Sequence, residues 1–244
     1  MTVSLSGTQG KFGLSFVIPC FNEEGSLEAT VDEVVSTSKK LGIDYEMIIY
    51  DDGSSDSTGK IADKLAKENL GIKVFHNPGN MGQGYCISRG FKEASKEWVT
   101  TIPGDRQISL ETLAKFIAKT KEVDFVSGYM LNEKQTRTFY RRLISKGFLL
   151  LEKLLFGIKV RYTNGFTIWN RKKLDEIYIS STGYAVLGEI YVKAFMNNWK
   201  YAEEGFYLRS RTTGVEGASK PSAIIKATVE LIKLFIKSRR WKKK

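Results

Sequence analysis

Two adjacent carboxylates, Asp51 and Asp52, stand at the end of a short run of residues that suit a buried strand. The run is Met-Ile-Ile-Tyr, and the acids are followed by Gly53, which can adopt a positive φ, and by hydroxyl residues that can cap a helix. This order is typical of a strand that enters a loop and then a helix. Ligands bind at the carboxyl ends of parallel strands, so we expect both acids to face a cleft. A capped turn is the alternative, although it does not explain why two repelling acids are neighbours.

Three further polar segments follow apolar runs, and each contains groups that can contact a ligand. Carboxylate and amide oxygens can accept from a base or a ribose hydroxyl, and backbone N–H groups at a helix start can face a phosphate. The alternatives are a capping pair in the first segment and a tight turn in the second. The candidates are Pro19, Asn22 and Glu23 in the first segment, Asn80 and Gly82 in the second, and Gly104, Asp105 and Gln107 in the third.

The elements that position these segments alternate strictly between strand and helix over the first half of the chain. This alternation predicts an α/β fold, with one mostly parallel, Rossmann-like sheet and helices on both faces. The carboxyl ends of parallel strands share one edge, so the polar segments are expected to converge there. The predicted strands are 14–19, 45–50, 72–75, 98–102, 125–129 and 201–211, and the predicted helices are 27–41, 57–69, 82–94, 141–156, part of 183–197 and the tail.

Charge and composition restrict the possible partners. A net charge of +11 over 244 residues favours nucleic acid, an anionic membrane or a phosphorylated substrate. Nucleic acid is disfavoured because the basic residues gather in the tail and no aromatic and basic sheet motif is present. The two cysteines, Cys20 and Cys86, fit a reduced compartment, and the single histidine, His76, excludes a multi-histidine metal site. No apolar stretch approaches the roughly 18 residues of a membrane span, and residues 1–11 lack a signal-peptide core, so we expect a cytoplasmic location.

Four motifs have the order and spacing found in family 2 glycosyltransferases, which the chain resembles from about residue 13 to 220. The motifs are Ser-Phe-Val-Ile-Pro-Cys-Phe-Asn-Glu-Glu, Ile-Ile-Tyr-Asp-Asp-Gly-Ser-Ser-Asp-Ser-Thr, Asn-Pro-Gly-Asn-Met-Gly-Gln-Gly and Pro-Gly-Asp-Arg-Gln. Within that family the chain looks most like the dolichyl- or polyprenyl-phosphate sugar synthases. The resemblance implies a GT-A fold, a nucleotide-sugar donor such as GDP-mannose or a UDP-hexose, a divalent metal ion and inversion at the anomeric carbon.

By this resemblance, the segments after the first two strands form the nucleoside pocket. It also implies that Asp105 binds Mg²⁺ or Mn²⁺, which bridges the donor's diphosphate. The family carries a D-x-D pair at this point, whereas Pro103 replaces the first acid here. Asp105 and Gln107 can still complete an octahedral site together with diphosphate oxygens and water. We therefore expect weak metal binding in the absence of the donor.

The resemblance places the acceptor against the helix that begins near Arg141. The family holds the acceptor phosphate with an Arg and a Ser, which correspond here to Arg141, Arg142 and Ser145, and Arg137 can share that work. A guanidinium suits this role because it can grip phosphate oxygens in a bidentate way. Solvated arginines beside a leucine-rich core face are the alternative. Downstream, Arg161 opens a segment that resembles the family's Asp-x-Thr-Ser-Gly-Phe but lacks its acid, so another group must do the work of that acid.

Three later residues are assigned by the same resemblance. Glu189 matches a family Glu that would bind a sugar hydroxyl, although a favourable position in a helix dipole explains it equally well. Arg211 and Lys220 flank a loop that resembles the family's mobile R-x-x-G-x-S-K clamp, with three extra residues. We expect this pair to close over the diphosphate.

The chain divides into a GT-A domain of residues 1–220 and a basic amphipathic helical tail of residues 221–244. The tail ends in Arg-Arg-Trp-Lys-Lys-Lys, which suits anionic lipid headgroups, and packing on the protein's own core is the alternative. We expect peripheral contact with the cytoplasmic face of a membrane, with a small membrane protein as a possible partner.

The resulting hypothesis is an inverting transfer of a sugar onto polyprenyl or dolichyl phosphate. A phosphate is already anionic near neutral pH, so the reaction needs no general base. A metal ion at Asp105 and the cations of Arg211 and Lys220 would stabilise the departing nucleoside diphosphate. Two alternatives remain. One is a family 2 transferase with a soluble or polysaccharide acceptor, and the other is a non-catalytic module that binds a nucleotide sugar or nucleic acid.

Overall fold

The computed structural model describes residues 11–183, 185–210, 228–236 and 238, and strands within these ranges form one seven-stranded sheet. The strands are β1 (Gly13–Cys20), β2 (Asp44–Asp51), β3 (Ile72–His76), β4 (Trp98–Thr101), β5 (Phe125–Met130), β6 (Thr167–Asn170) and β7 (Tyr201–Phe206). Their order across the sheet is β3-β2-β1-β4-β6-β5-β7.

All strands except β6 run in the same direction. β1 pairs in parallel with both β2 and β4, and β5 pairs in parallel with β7. β6 lies antiparallel between β4 and β5, so β4 and β5 are parallel to each other. The carboxyl ends of six strands therefore lie at one edge of the sheet, which we call the carboxyl edge, and β6 begins there.

Helices cover both faces of this sheet. They are α1 (Leu27–Leu41), α2 (Thr58–Glu68), α3 (Gln83–Glu93), α4 (Leu113–Ala118), α5 (Glu133–Thr136), α6 (Phe139–Phe156), α7 (Arg171–Asp175) and α8 (Val186–Met196), with a 3₁₀ turn at Thr120–Glu122. α1, α2 and α4 pack on one apolar cluster, whereas α3, α7 and α8 pack on the other. The fold predicted from the sequence, a mostly parallel α/β sheet between two helical layers, is confirmed.

Strict alternation of side chains explains why β1 and β2 are central strands. In β1, Phe16 and Ile18 enter the first cluster and Val17 enters the second. In β2, Ile49 enters the first cluster and Ile48 the second. Successive side chains of a strand point to opposite faces, so a continuous apolar run is what a strand buried on both faces requires.

The structure differs from the prediction at several boundaries. β1 continues through Pro19 to Cys20, and the last strand ends at Phe206 rather than at residue 211. β6 was not predicted, because four residues that follow an irregular segment carry too short a pattern. The described part of the tail, residues 228–236, is helical, and Leu231 and Leu234 are buried in the second cluster. This part of the tail therefore packs on the core. Among the described residues, no helix is long and apolar enough to cross a membrane.

Candidate active site

The polar segments predicted from the sequence meet at the carboxyl edge on either side of β1. Asp52 donates its backbone N–H to the Cys20 carbonyl at 2.9 Å, and Gly104 donates its N–H to the Pro19 carbonyl at 3.0 Å. The loop after β2 and the loop after β4 thus flank the end of β1. Two strand spacings separate them, which is about 10 Å. This is the convergence that a ligand cleft requires.

Asp51 is held by the only histidine in the sequence. Its side chain is buried, and its Oδ2 lies 3.0 Å from Nδ1 of His76 while its Oδ1 accepts the N–H of Ser54 at 3.0 Å. Nε2 of His76 lies 3.2 Å from Oδ1 of Asp63. The hydrogen bond to Asp51, and to a smaller extent Asp63, raises the pKa of His76 against the opposing effect of burial. Sequence reasoning missed this pair, because the two residues are 25 positions apart.

Asp52 organises the loop that precedes α3. Its carboxylate accepts from Nδ2 of Asn77 and from the backbone N–H groups of Met81 and Gly82, all at 2.8 Å. The Gly82 N–H therefore points at Asp52, and a donor phosphate would have to use other groups of this segment. Gly53 has a φ of 73°, and a Cβ there would lie 2.5 Å from the backbone of Gly79, so only glycine allows the two loops to pack. Asn80, next in the chain, is exposed at this edge.

Asn22 and Glu23 lock the loop after β1 to the loop after β2. Asn22, at a φ of 55°, accepts the Ser55 N–H at 2.9 Å through Oδ1. Glu23 donates its N–H to the Thr58 hydroxyl at 2.8 Å, and its carboxylate accepts from the Ser26 hydroxyl at 2.9 Å. The N-cap of α1 is Ser26, which makes no side-chain cap hydrogen bond, so these contacts hold the two loops together and do not cap the helix.

Asp105 lies in a tight loop after β4. Its Oδ1 accepts the Gln107 N–H at 3.1 Å, and Arg106 between them has a φ of 57°. Within the described residues, no three His, Cys, Asp or Glu side chains are grouped closely enough to hold a metal ion. The carboxylate of Asp105 and the side-chain amide of Gln107 are hard oxygen donors of the kind that Mg²⁺ and Mn²⁺ prefer. They fit such an ion when a diphosphate and water supply its other ligands.

Arg209, in the segment after β7, braces this loop, which sequence reasoning did not predict. Its backbone N–H donates to the Gln107 carbonyl at 2.7 Å, and its guanidinium binds both oxygens of Glu33 at 2.6 and 2.8 Å. Burial opposes ionisation of Glu33, but the hydrogen bonds from Arg209 and Leu110 hold its pKa below the ordinary value. The loop of Asp105 is therefore fixed by a bidentate ion pair.

A second recess, the α6 cleft, lies where β5 ends and α6 passes over the sheet. Its volume is about 270 Å³. It is lined by Tyr129, Met130, Glu133, Ser145, Lys146, Leu149, Arg161 and Tyr162. Of the predicted acceptor residues, Ser145 lines this cleft. Arg137 reaches its wall, because Nη1 donates to the Tyr162 hydroxyl at 2.9 Å.

The other predicted acceptor residues lie in the first turns of α6. The Arg141 N–H donates to the capping hydroxyl of Thr138 at 3.3 Å. The Arg142 guanidinium lies 5.8 Å from the centre of the Phe139 ring, and its buried Nε has no hydrogen-bond partner among the described residues. Neither arginine lines the α6 cleft. The predicted clamp residues Arg211 and Lys220 lie outside the described residues.

Glu189 is completely buried in α8. Its carboxylate accepts from the N–H groups of Ser180 and Ser181 and lies 2.6 Å from Nζ of Lys193. Burial alone would raise its pKa, but these hydrogen bonds lower it. In this arrangement Glu189 fixes the segment before α8, and sugar binding by this residue stays a prediction.

A family comparison identifies the chain. Residues 15–178 match the model of glycosyl transferase family 2. The chain belongs to this family. Among characterised family 2 proteins, it is 30% identical over 239 residues to a dolichyl-phosphate beta-glucosyltransferase of Trichomonas vaginalis, covering 91% of this chain and 73% of that protein.

Two other relatives share a shorter stretch. A dolichol-phosphate mannosyltransferase of Pyrococcus furiosus is 28% identical over 188 residues, which is 74% of this chain and 52% of that protein. An undecaprenyl-phosphate 4-deoxy-4-formamido-L-arabinose transferase of Proteus mirabilis is 33% identical over 135 residues, which is 54% of this chain and 41% of that protein. The family 2 chain thus spans about half the length of these two relatives.

Solved structures confirm the GT-A fold of this family 2 chain. Glucosyl-3-phosphoglycerate synthase from Mycobacterium tuberculosis, solved with Mn²⁺, UDP-glucose and phosphoglyceric acid, superposes with a TM-score of 0.69 at 17% identity, covering 93% of this chain and 80% of that one. Mannosyl-3-phosphoglycerate synthase from Rubrobacter xylanophilus superposes with a TM-score of 0.68 at 16% identity, covering 95% of this chain and 75% of that one.

Proposed function

We propose that the chain is an inverting glycosyltransferase that moves a sugar from a nucleotide sugar, such as GDP-mannose or a UDP-hexose, onto polyprenyl or dolichyl phosphate. The observation that carries the proposal is that the candidate donor site and the α6 cleft lie at the same edge of the sheet. The acids of the loops after β2 and β4 lie at the carboxyl edge, and the α6 cleft opens at the same edge where β5 ends. Relatives named for transfer to dolichyl and undecaprenyl phosphate support this choice of acceptor.

The reaction is a single displacement at the anomeric carbon. An oxygen of the acceptor phosphate attacks this carbon and forms the new C–O bond. The bond to the nucleoside diphosphate breaks, and the diphosphate leaves with the electron pair. The attacking phosphate is already ionised, so no side chain has to remove a proton. Attack from the face opposite the leaving group inverts the configuration.

Each segment of the edge has a role in this scheme. Asp51, Asp52 and the loop of Asn22 and Glu23 shape the nucleoside pocket. Asp105 and Gln107 would hold Mg²⁺ or Mn²⁺, which supplies positive charge to the departing diphosphate. The remaining assignments are Pro19, Asn80, Gly82, Gly104 and Glu189 on the donor side, Arg141, Arg142 and Ser145 on the acceptor side, and Arg211 and Lys220 as the clamp.

A membrane surface is the proposed location of the acceptor. α6 exposes a row of apolar side chains at helical spacing, at Phe139, Leu143, Leu150 and Leu154. These positions share one face of the helix. Lys146 and Lys153 are exposed on the same helix and can meet anionic headgroups. We place this contact on the cytoplasmic face of the membrane, where a small membrane protein can assist it.

A partition assay tests the proposed function. The protein is incubated with polyprenyl phosphate, Mg²⁺ or Mn²⁺ and labelled GDP-mannose, UDP-glucose or UDP-N-acetylglucosamine. One of the donors is expected to give label in the organic phase. Label that moves only to a water-soluble acceptor would favour the soluble-acceptor alternative, and the absence of any transfer would favour a binding module.

Asp105→Ala tests the metal-side assignment in the same assay. Loss of a metal ligand removes several kcal/mol of transition-state stabilisation, so we expect transfer to fall by about 100-fold or more. Thermal unfolding should change little, because Asp105 lies in a loop that Arg209 already braces. Asp32→Ala, at an exposed position of α1, is the matched control and should keep full activity. Full activity of Asp105→Ala would refute the metal assignment.

A further inference from the structure

The segment that carries Arg161 lies at the carboxyl edge of the sheet. β4 and β5 are both antiparallel to β6, so the segment of residues 161–166, which leads into β6, lies at the carboxyl edge with the ends of β4 and β5. The loops at this edge are joined, because Asn132 after β5 exchanges two hydrogen bonds with Leu208, and Arg209 binds Gln107. The cleft and the loop of Asp105 therefore lie at the same edge of the sheet, in segments that these hydrogen bonds connect.

Arg161 is held in the cleft wall by three contacts. Its guanidinium carbon lies 4.2 Å from the centre of the Tyr129 ring, its Nε lies 3.6 Å from Oε2 of Glu203, and its backbone N–H donates to Oε1 of Glu203 at 2.7 Å. These contacts leave both Nη groups without a partner among the described residues. The guanidinium side chain is 61% exposed. Stacking on Tyr129 and the contact of Nε with Glu203 thus position the guanidinium, and much of it stays accessible to a ligand.

Two further donors line the same cleft. The hydroxyl of Ser145 and the ammonium of Lys146 have no hydrogen-bond partner in the described part of the chain, and both residues line the recess with Arg161. Glu133 is the one acid among the lining residues, against two cations. When the neighbouring Glu203 and Arg137 are included, three cations face two acids. The cleft therefore carries a small net positive charge and several donors, which is the chemistry that recognises a phosphate.

The charge at position 161 is opposite to the one that the family motif implies. The segment Arg161-Tyr-Thr-Asn-Gly-Phe resembles Asp-x-Thr-Ser-Gly-Phe, so an arginine replaces an acid and shifts the local charge by two units. A stacked guanidinium at this point attracts an anionic headgroup. The partner of Arg161, Glu203 on β7, keeps the guanidinium oriented without filling the cleft.

We propose that Arg161, together with Ser145 and Lys146, binds the phosphate monoester of the acceptor. The proposal rests on the proposed function, and it adds Arg161 and Lys146 to Ser145, the one residue of the three that the resemblance already places at the acceptor phosphate. A lipid phosphate and a soluble phosphate ester share this chemistry. The assays below separate the two sources.

The kinetic test measures KM for the donor and for farnesyl phosphate, a short phosphate monoester. Loss of a charge-assisted contact should raise KM for the acceptor by about tenfold or more in Arg161→Ala, with KM for the donor unchanged. Arg161→Asp should raise KM for the acceptor further. Arg161→Lys should have a smaller effect than Arg161→Ala, because lysine keeps the positive charge but lacks the planar guanidinium that stacks on Tyr129. A residue with a purely structural role would affect both substrates alike.

Arg171→Ala is the matched control. Arg171 also pairs with an acid, Asp175, at 2.9 Å, but it follows β6 and lies at the opposite edge of the sheet. This variant should behave as the wild type with both substrates. An acceptor KM that is the same in Arg161→Ala and in the wild type would overturn the proposal, as would an equal change in Arg171→Ala.

A binding assay separates this inference from the proposed function. Farnesyl phosphate, farnesol, 3-phosphoglycerate and inorganic phosphate are titrated into wild type and Arg161→Ala by calorimetry. Binding of a phosphate ligand that Arg161→Ala weakens supports the anion site, even if the wild type transfers no sugar to a lipid. Tighter binding of farnesyl phosphate than of 3-phosphoglycerate indicates a lipid source, and the reverse order indicates a soluble one. Equal binding of the phosphate ligands by both proteins, or equal binding of farnesol and farnesyl phosphate, would refute the proposal.

Discussion

At the scale of single residues, His76 contacts two carboxylates from different elements. Asp51 comes from the end of β2 and Asp63 from α2, and one imidazole ring contacts both, at 3.0 and 3.2 Å. A charged ring can donate from both nitrogens, whereas a neutral ring can donate from only one. Protonation therefore strengthens the contact that orients Asp51, the acid assigned to the nucleoside pocket.

The titration of His76 tests this arrangement. Its pKa is raised first by the hydrogen bond to Asp51, so the midpoint should lie above the ordinary value of about 6.5. The stabilisation is fully present below that ordinary value and is lost as the pH rises through the raised one. The protein has one histidine, so the C2 proton gives a single NMR signal to follow.

Asp51→Asn is the informative variant for this titration. The amide removes the charge and keeps the size, so the midpoint should move back toward about 6.5. Asp63→Asn should also lower the midpoint, because its hydrogen bond and its charge both raise the pKa of His76. A midpoint at or below 6.5 in the wild type would contradict the observed contacts.

At the scale of elements, three segments meet at one buried acid of α6. Glu152 is completely buried, and its Oε2 accepts from the Thr163 hydroxyl at 2.5 Å, while a Cβ at Gly188 of α8 would lie 2.8 Å from its Oε1. Oε1 has no hydrogen-bond partner among the described residues. Burial raises the pKa of Glu152 to about 7, against the opposing hydrogen bond from Thr163. The hydrogen bond from Thr163 to Glu152 thus ties the segment that carries Arg161 to α6. The Glu152 carboxyl is neutral below about pH 7.

Glu152→Gln should stabilise the protein increasingly as the pH rises. Between the ordinary pKa of 4.5 and about 7, the unfolded chain ionises this group and the folded chain does not, so wild-type stability falls across that window. The loss is at most about 1.4 kcal/mol per pH unit, or a few degrees of Tm. Glutamine cannot ionise, so the gap in Tm between Glu152→Gln and the wild type should widen from pH 5 to 7 and then stay constant.

Glu122→Gln is the control for this series, because Glu122 is exposed and its substitution should give no pH-dependent gap. If the difference in Tm between Glu152→Gln and the wild type does not change with pH, ionisation of the buried carboxyl does not control the stability. Thermal scans at intervals of half a pH unit would resolve the two outcomes.

The elements also show which parts of the structure are readable in the sequence. β1 and β2 were predicted almost to the residue, because buried central strands are continuous apolar runs. Glu152 was not recognised, since an acid in a leucine-rich helix is normally a solvated position. Glu189 was predicted near a ligand, but its partners Ser180, Ser181 and Lys193 are set by packing that no local pattern records.

At the scale of the whole molecule, the sequence predicted the sheet and its functional edge but not the strand order. Local periodicity identifies strands, whereas the antiparallel insertion of β6 between β4 and β5 depends on contacts between distant segments. That insertion brings the segment of Arg161 to the carboxyl edge beside α6. The α6 cleft therefore could not be derived from motif order alone, although Ser145 in its wall was predicted.

The tail helix, which lies beside α6, also exposes apolar side chains. Phe156 at the end of α6 packs edge-on against Phe235 with 5.7 Å between ring centres, so the two helices are neighbours. Residues 228–236 bury Leu231 and Leu234 but leave Val229, Ile232 and Ile236 exposed. An exposed apolar surface of this extent, next to lysines, is suited to a bilayer interface.

Vesicle binding tests the proposed membrane contact. Leu143, Leu150 and Leu154 are 59%, 57% and 75% exposed, so their combined change to Gln should leave the core intact and Tm nearly unchanged. Full burial of one leucine contributes about 1.5–3 kcal/mol, so even partial insertion of three should make vesicle affinity fall by more than tenfold in the triple variant. Co-sedimentation with vesicles that contain anionic lipid measures the change. Leu70→Gln is the control, because Leu70 is fully exposed before β3, at the edge opposite the site. If the triple variant sediments like the wild type while Leu70→Gln does the same, the apolar row of α6 is not a membrane contact, and the acceptor must reach the α6 cleft by another route.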